Sequence, residues 1–256
     1  MRNSWTSFGE PLEMNMSRDE LIQALFPDGA PMAVDADGIL DGEQRLASGS
    51  PLTVIGLTGD RPVGADLAIA VSARVLRHVA LHAGRPLLLL IDAGSQRMAR
   101  RDELLGLNEY LAHLAKSLYL ASASGSRTLG ILYGAASAGA MVATALAVDR
   151  LVAVPGAAPS VMNLEAMARI TKLPLAQLES MARETPVFAP GVEAMLQTGG
   201  ILETWSDPAQ YPGRLQSLLE IPGDDDDRDC LGATRGGRAK AAAIAARAYE
   251  EAMRHA

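Results

Sequence analysis

The sequence predicts an α/β fold with a parallel β-sheet core flanked by helices. Three observations predict it. Apolar runs of strand length alternate with stretches of helical periodicity, as right-handed crossovers between parallel strands require. One of those runs, "RPLLLLIDAG", is apolar throughout, as befits a strand covered on both faces. Small residues then cluster where strands hand over to helices, most densely in "GAASAGA" (Gly134 to Ala140).

The elements follow in order. "SRDELIQALF" reads as a short helix, with Ser17 as N-cap and Glu20 completing a capping box. "FPDGAPMAVDADGILDGEQ" is rich in Pro, Gly and Asp and reads as turns. Residues 1–50 are therefore expected to form a loosely attached N-terminal arm. "LTVIGLTG" reads as a buried strand, and "VGADLAIAVSARVLRHVALHAG" as a helix stopped by Gly84. "RPLLLLIDAG" is the second strand, and "RRDELLGLNEYLAHLAKSLYLASASG" one long helix. "TLGILYG" is the third strand, followed by a helix over "SAGAMVATALAV". "RLVAVPGA" is the fourth strand, and "NLEAMARIT" and "PLAQLESMARET" are helices. The body is expected over residues 51–222, and residues 223–256 as an acidic loop and an Ala-rich C-terminal helix that packs on the body or on another subunit. The run "DDDDRD" (Asp224 to Asp229) reads as a solvated loop.

Composition excludes several classes. The chain has 256 residues, 48% of them hydrophobic, enough for a sizeable core. The formal charge of −7 and the absence of a basic patch argue against nucleic acid as a partner. Cys230 is the single cysteine, so no internal disulfide can form, which suits a reducing compartment. The N-terminus lacks the apolar core of a secretory signal, and no apolar run approaches a membrane span. A cytoplasmic protein is expected.

Small residues between a strand and a helix have two readings. They allow close packing, or they let an anion or a developing oxyanion approach backbone N–H groups that lack helical partners. "IDAGS" (Ile91 to Ser95) is a second such turn, and in a parallel sheet both turns lie on one edge. Two donor clusters facing one cleft would make paired oxyanion holes. The expected donors are the backbone groups of Ala138 and Gly139 on one side and Gly94 and Ser95 on the other. Gly134, Ala135 and Ala136 would line the approach, and Tyr133 and Ser137 would orient a bound anion.

Ser137 sits in a turn that resembles the nucleophile turn of Clp-type serine peptidases. That chemistry needs a base. The next histidine is His255, at the chain end, and His78, His82 and His113 lie in helical patterns as surface or interface residues. Ser137 therefore reads as a cap or a substrate contact. No acidic residue keeps register with His78 and His82, so no metal site is expected. Arg97, Arg100 and Arg101 have two readings, an attraction for an anionic substrate or an acidic partner and solvated charges at a helix start.

The ordered motifs resemble the crotonase superfamily, and most of all its carboxyltransferase branch. Arg61, Pro62 and Gly64 match an R-P-x-G turn; Ile91, Asp92 and Gly94 match the strand end; Gly134, Ser137, Gly139 and Ala140 match the strand-turn-helix; Asp149 precedes the next strand; Ser160, Val161 and Glu165 follow; and "GGIL" (Gly199 to Leu202) resembles the late glycine turn. The resemblance implies a ClpP/crotonase-type fold, a superhelix of ββα units. Within the branch, "GAASAGAMVATALAVDR" and "PSVMNLEAMARIT" resemble malonate decarboxylase gamma subunits. That resemblance implies a homologous beta subunit as partner, and a shared site that decarboxylates a malonyl thioester on an acyl-carrier protein. It also implies a dephospho-CoA-derived prosthetic group on that carrier, an alpha subunit that exchanges acetyl for malonyl, and no cofactor or metal on this chain. Two departures are visible. Ala135, Ala136 and Ala138 stand where relatives keep more glycine, and "IDAGSQRMARRDE" lacks the P-G-A-F-type sequence of many relatives. Transfer of the carboxyl group to biotin, and a non-catalytic scaffold, are the alternative readings.

Overall fold

The computed structural model describes residues 16–186, 189–220, 226–238 and 240–254. Its centre is a six-stranded sheet. β1 (Ile39–Arg45) runs antiparallel to β2 (Pro51–Leu57). β2 is then followed in parallel by β3 (Leu87–Ile91), β4 (Thr128–Leu132), β6 (Arg150–Ala153) and β8 (Glu203–Thr204). β5 (Ala135–Ser137) and β7 (Ala158–Ser160) form a separate two-stranded parallel layer.

The apolar strand runs have a direct cause. Side chains alternate across the sheet, and both faces are covered. Leu87, Leu89 and Ile91 pack with helices α2 (Ala65–His82) and α4 (Leu107–Ala123), through Val71, Val75, Leu114 and Leu118. Leu88 and Leu90 pack on the other face with Leu21 and Leu25 of α1 (Arg18–Leu25), with Trp205, and with Tyr211 and Leu215 of α9 (Tyr211–Glu220). All five β3 residues are fully buried, and each such side chain contributes about 1.5–3 kcal/mol. Register aligns Leu57, Ile91 and Leu132, so the turns that follow these strands emerge together on one edge.

The capping box of α1 is present: Glu20 N–H reaches Ser17 Oγ at 3.3 Å, and Ser17 N–H reaches Glu20 Oε2 at 2.8 Å. Asn163 caps α6 (Leu164–Thr171) through the Ala166 N–H at 2.7 Å.

Four expectations are corrected. The first 50 residues do not behave as a loose arm where they are described. α1 packs under the sheet, β1 is an edge strand, and the expected boundary at residue 50 falls inside the β1–β2 hairpin. The acidic composition of β1 hid it. Asp41 pairs with Arg74 and Arg77, Glu43 pairs with Arg85 at 2.6 Å, and the buried Gln44 donates to the Ala30 carbonyl at 2.7 Å. Residues 1–15 of the expected arm lie outside the described residues.

Next, the long helix after β3 is broken. Gly106 adopts φ +76°, closing α3 (Arg100–Leu105) and opening α4. The helix after the small-residue turn is also shorter than expected, α5 (Ala138–Ala143), with Thr144 as its C-cap.

Finally, the acidic run is not simply solvated. Asp227 pairs with Arg150 at 2.6 Å, and Asp226 holds Arg228, whose guanidinium also donates to the Leu146 carbonyl at 2.9 Å. Asp224 and Asp225 lie outside the described residues. Behind this run, α10 (Arg228–Thr234) is fastened to the body by arginine bonds to carbonyls. Arg235 reaches those of Leu196, Ile201 and Leu202. The last helix, α11 (Ala241–Arg254), has no buried residue and carries Ile244, Tyr249 and Met253 in the open. Among the described residues no helix is long and apolar enough to cross a membrane.

Candidate active site at the small-residue turns

The turns after β2, β3 and β4 meet, and Asp92 laces them together. Its Oδ2 accepts the N–H groups of Gly59 at 2.9 Å and Asp60 at 3.1 Å, and its Oδ1 accepts the Ala135 N–H at 3.0 Å. Gly134 is required at this join, since a Cβ there would lie 2.2 Å from Asp92 Oδ1. Gly94 takes φ +59°, and a Cβ on it would lie 2.9 Å from the Asp60 carbonyl oxygen. Here the small residues serve close approach of backbones.

The two predicted turns lie side by side. Ala93 N–H donates to the Ala135 carbonyl at 2.8 Å, Ser137 N–H to the Gly94 carbonyl at 2.7 Å, and Gly94 pairs with Ala136. Val63 pairs with Gln96 on the outer side, and β7 pairs with β5 on the inner side. The chain thus builds a small second layer over the sheet edge. Ala138 heads α5 in the left-handed conformation, φ +51°, which is uncommon for a residue with a Cβ. Gly94, Ser95, Ala135, Ala136, Ser137, Ala138 and Gly139 therefore converge as the sequence predicts.

Several roles differ from expectation. The Gly139 N–H is not open: Gln96 Oε1 accepts it at 2.7 Å. Ser137 stands at the N-cap position, yet its hydroxyl does not cap; it donates to the Gly94 carbonyl at 3.3 Å. Ser160, the register partner of Ser137 across the small sheet, has a buried Oγ with no hydrogen-bond partner among the described residues. Tyr133 leaves the cleft altogether. It is 5% exposed, packs in the core under α1 and α9, and places its hydroxyl 3.5 Å from the Leu57 carbonyl oxygen. Burial and the nearby Asp92 carboxylate push its phenol far above the ordinary range, so it stays protonated at neutral pH.

Arg97 is a brace rather than an anion trap. Its guanidinium grips Asp102 at 2.6 and 2.8 Å and reaches Asp66 at 3.3 Å. Asp102 has no exposed surface, also accepts the Ala65 N–H at 3.0 Å, and is held down to about 2 by Arg97 first and that N–H second. Gly64 leaves room for this fork, because a Cβ there would sit 2.3 Å from Arg97 Cζ. Arg101 is tied to Asp66 at 2.6 Å, and Arg100 makes no ion pair among the described residues.

His78 is not a surface residue. It is 2% exposed, with Nδ1 2.9 Å from Thr53 Oγ1 and Nε2 3.0 Å from Ser126 Oγ, at the opposite edge of the sheet from the turns. Burial first, and the charges of His82 and Arg85, push its pKa down. His82 lies 3.3 Å from Glu43, and His113 is exposed. Among the described residues no histidine bonds Ser137, and no cluster of three or more acidic, His or Cys side chains could hold a metal. Asp149 also has a structural role, accepting Ser122 Oγ at 2.6 Å and the Thr128 N–H at 2.8 Å.

Large apolar side chains surround the turns in the open: Met98 beside Gln96, Val142 one helical turn beyond Gly139, and Val161 after Ser160. A cavity of about 530 Å³ lies beyond α5, lined by Leu146, Val161, Met195, Thr198, Arg228 and Arg238 among others. None of the predicted site residues lines it.

A parallel sheet whose strand-end turns carry a second layer of short strands is the architecture of the crotonase-fold carboxyltransferases. Transcarboxylase 12S shares it, with a TM-score of 0.65 at 16% identity over 82% of this chain and 42% of that one. The chain belongs to the malonate decarboxylase gamma subunit family, whose model matches residues 58–252. A chain of a Pseudomonas malonate decarboxylase hetero-tetramer solved with coenzyme A superposes with a TM-score of 0.76 at 25% identity, covering 90% of this chain and 97% of that one. A chain of the Pseudomonas malonate decarboxylase MdcD-MdcE hetero-dimer gives 0.70 at 26% identity, covering 90% and 96%. The malonyl-S-ACP:biotin-protein carboxyltransferase MADD of Malonomonas rubra is 30% identical over 122 residues. That match covers 46% of this chain and 42% of the relative's length.

Proposed function

We propose that this chain is the gamma subunit of a malonate decarboxylase and completes its site with a homologous beta subunit. The reaction is the conversion of a malonyl thioester on an acyl-carrier protein to the acetyl thioester and carbon dioxide. The observation that carries this reading is the pair of laced turns, with Gly94–Ser95 beside Ser137–Ala138 and exposed Met98, Val142 and Val161 around them. A half-cleft with an apolar rim fits a partner subunit that supplies the other half.

The chemistry needs no nucleophile. The bond between the α-carbon and the carboxylate breaks, carbon dioxide leaves, and the electron pair delocalises onto the thioester oxygen as an enolate. A proton then returns to the α-carbon, which gives the acetyl thioester. Preorganised N–H donors aimed at the enolate oxygen bind it more strongly than the starting carbonyl, and one such donor is worth about 2.7–4 kcal/mol. Backbone groups at Ala138 and at Gly94–Ser95 are the proposed donors on this chain. The thioester arm, derived from dephospho-CoA and borne by the carrier, enters mainly through the partner's side, and an alpha subunit exchanges acetyl for malonyl on that carrier. The protein would work in the cytoplasm.

The second reading is carboxyl transfer to biotin, favoured by the likeness to the Malonomonas rubra protein. One experiment separates the two. The chain is co-purified with its beta homologue, and carbon dioxide release from malonyl thioester is followed with and without avidin. Release that avidin does not touch supports the decarboxylase. Avidin-sensitive release supports the biotin reading. Full activity of this chain alone refutes the shared site.

A further inference from the structure

We propose that Gln96 is a catalytic side chain, which takes up the Gly139 N–H and presents its own amide N–H₂ to the anionic oxygen of the enolate. The inference rests on the reading of the laced turns as a decarboxylation site. The orientation of the amide is fixed by its partner. A backbone N–H can only donate, so the atom 2.7 Å from Gly139 N must be Oε1, and Nε2 must point the other way. The one hydrogen bond that Nε2 makes among the described residues goes to the Met98 sulfur at 3.9 Å, a weak acceptor. Two good donors are therefore left for a ligand at a half-exposed side chain beside the turn.

The side chain is also held in place. Its backbone belongs to the second layer, with Val63 N–H on the Ser95 carbonyl at 2.8 Å and Arg97 N–H on the Val63 carbonyl at 2.9 Å. Arg97, the next residue, is locked onto the buried Asp102. Gly139 is shaped for the amide, since a Cβ there would lie 2.4 Å from Oε1 and 3.0 Å from Leu111 Cδ1. A hydrogen bond accepted at Oε1 polarises the amide and strengthens its N–H groups as donors. The device shifts donor capacity outward from the backbone by the length of one amide, at no cost in net charge. A neutral donor suits a group that must bind an enolate without trapping the malonyl carboxylate.

The test uses the complex with the beta homologue and malonyl thioester as substrate. Gln96→Glu keeps an acceptor for Gly139 but turns the outward donors into a negative oxygen. Gln96→Met keeps the length without donors, and Gln96→Ala uncovers the Gly139 N–H. The expected result is a fall in kcat of about 100-fold for Glu and Met, with KM within about threefold and the melting temperature of the complex held. Gln96→Ala is expected to fall as well. If Gln96→Ala matches or exceeds the wild type, the side chain is only a plug over Gly139 and the proposal is overturned. If KM rises while kcat holds, Gln96 binds the ground state alone, and the proposal is again overturned. A wild-type complex that assembles but releases no carbon dioxide overturns the reading of the site itself, which separates the two failures. Glu and Met variants with wild-type turnover overturn the role of Gln96 alone.

Discussion

Substitution of Asp92 by Asn tests the lacing of the three turns. The carboxylate uses one oxygen for Gly59 and Asp60 and the other for Ala135. An asparagine has one acceptor oxygen and an N–H₂ group, so it can serve one side only. On the other side a donor would face a donor. A hydrogen bond to a charged acceptor contributes about 1.5–3 kcal/mol. The Gly59 and Asp60 N–H groups lie on exposed residues, where water replaces part of that, so the lower half of the range applies if they are released. The Ala135 bond is partly buried, and its loss falls in the upper half. For a chain of this size, 1 kcal/mol shifts the melting temperature by about 2–4 °C, so Asp92→Asn should lower it by about 3–12 °C. Gly134→Ala should act through the same contact, because its new Cβ would displace the carboxylate. The assay is thermal unfolding of the complex followed by circular dichroism, together with carbon dioxide release well below the transition. Turnover should fall more than tenfold, since the two halves of the donor face are no longer fixed. If Asp92→Asn melts within 2 °C of the wild type, or if the two variants differ widely, the lacing argument is refuted.

Other outcomes are expected on the same grounds. Ser137→Ala should reduce turnover only modestly, because the hydroxyl meets the Gly94 carbonyl at a long 3.3 Å and no base bonds it among the described residues; a covalent fluorophosphonate adduct on Ser137 would overturn this. Gly139→Ala should expel the Gln96 amide and cost turnover, while alanine's better helix propensity, about 1 kcal/mol over glycine, offsets much of the lost bond; unchanged turnover would show that the glycine serves packing. Stability should decline as pH falls from 7 to 5, because the folded state holds His78 neutral with a lowered pKa while the unfolded state takes up a proton near 6.5. The carboxylates with lowered pKa values, such as Asp102 and Asp35, lose their contribution only at more acid pH. His78→Gln should therefore flatten the melting temperature between pH 7 and 5, and an unchanged slope would exclude His78 as its cause.

The sequence by itself determined the parallel sheet, its four central strands, the burial of both faces and the edge on which the two small-residue turns meet. These follow from periodicity and from the alternation of strand with helix, which are local properties. It also determined the family, through motifs whose order is written along the chain. Three things were decided only by tertiary structure. β1 is a strand because it pairs with β2 along its length and buries Ile39 and Leu40, while distant Arg74, Arg77 and Arg85 pair with its acidic residues, a compensation that composition does not display. His78 is buried because Thr53 and Ser126, from two other elements, meet both of its ring nitrogens. The site residues changed roles for the same reason. Asp92, Gln96 and Asp102 act on Ala135, Gly139 and Ala65, 37 to 43 positions away, and such pairings carry no local signature. A sequence shows which residues could donate or accept; the partner each one takes is settled only when the chain closes and most buried polar groups find one.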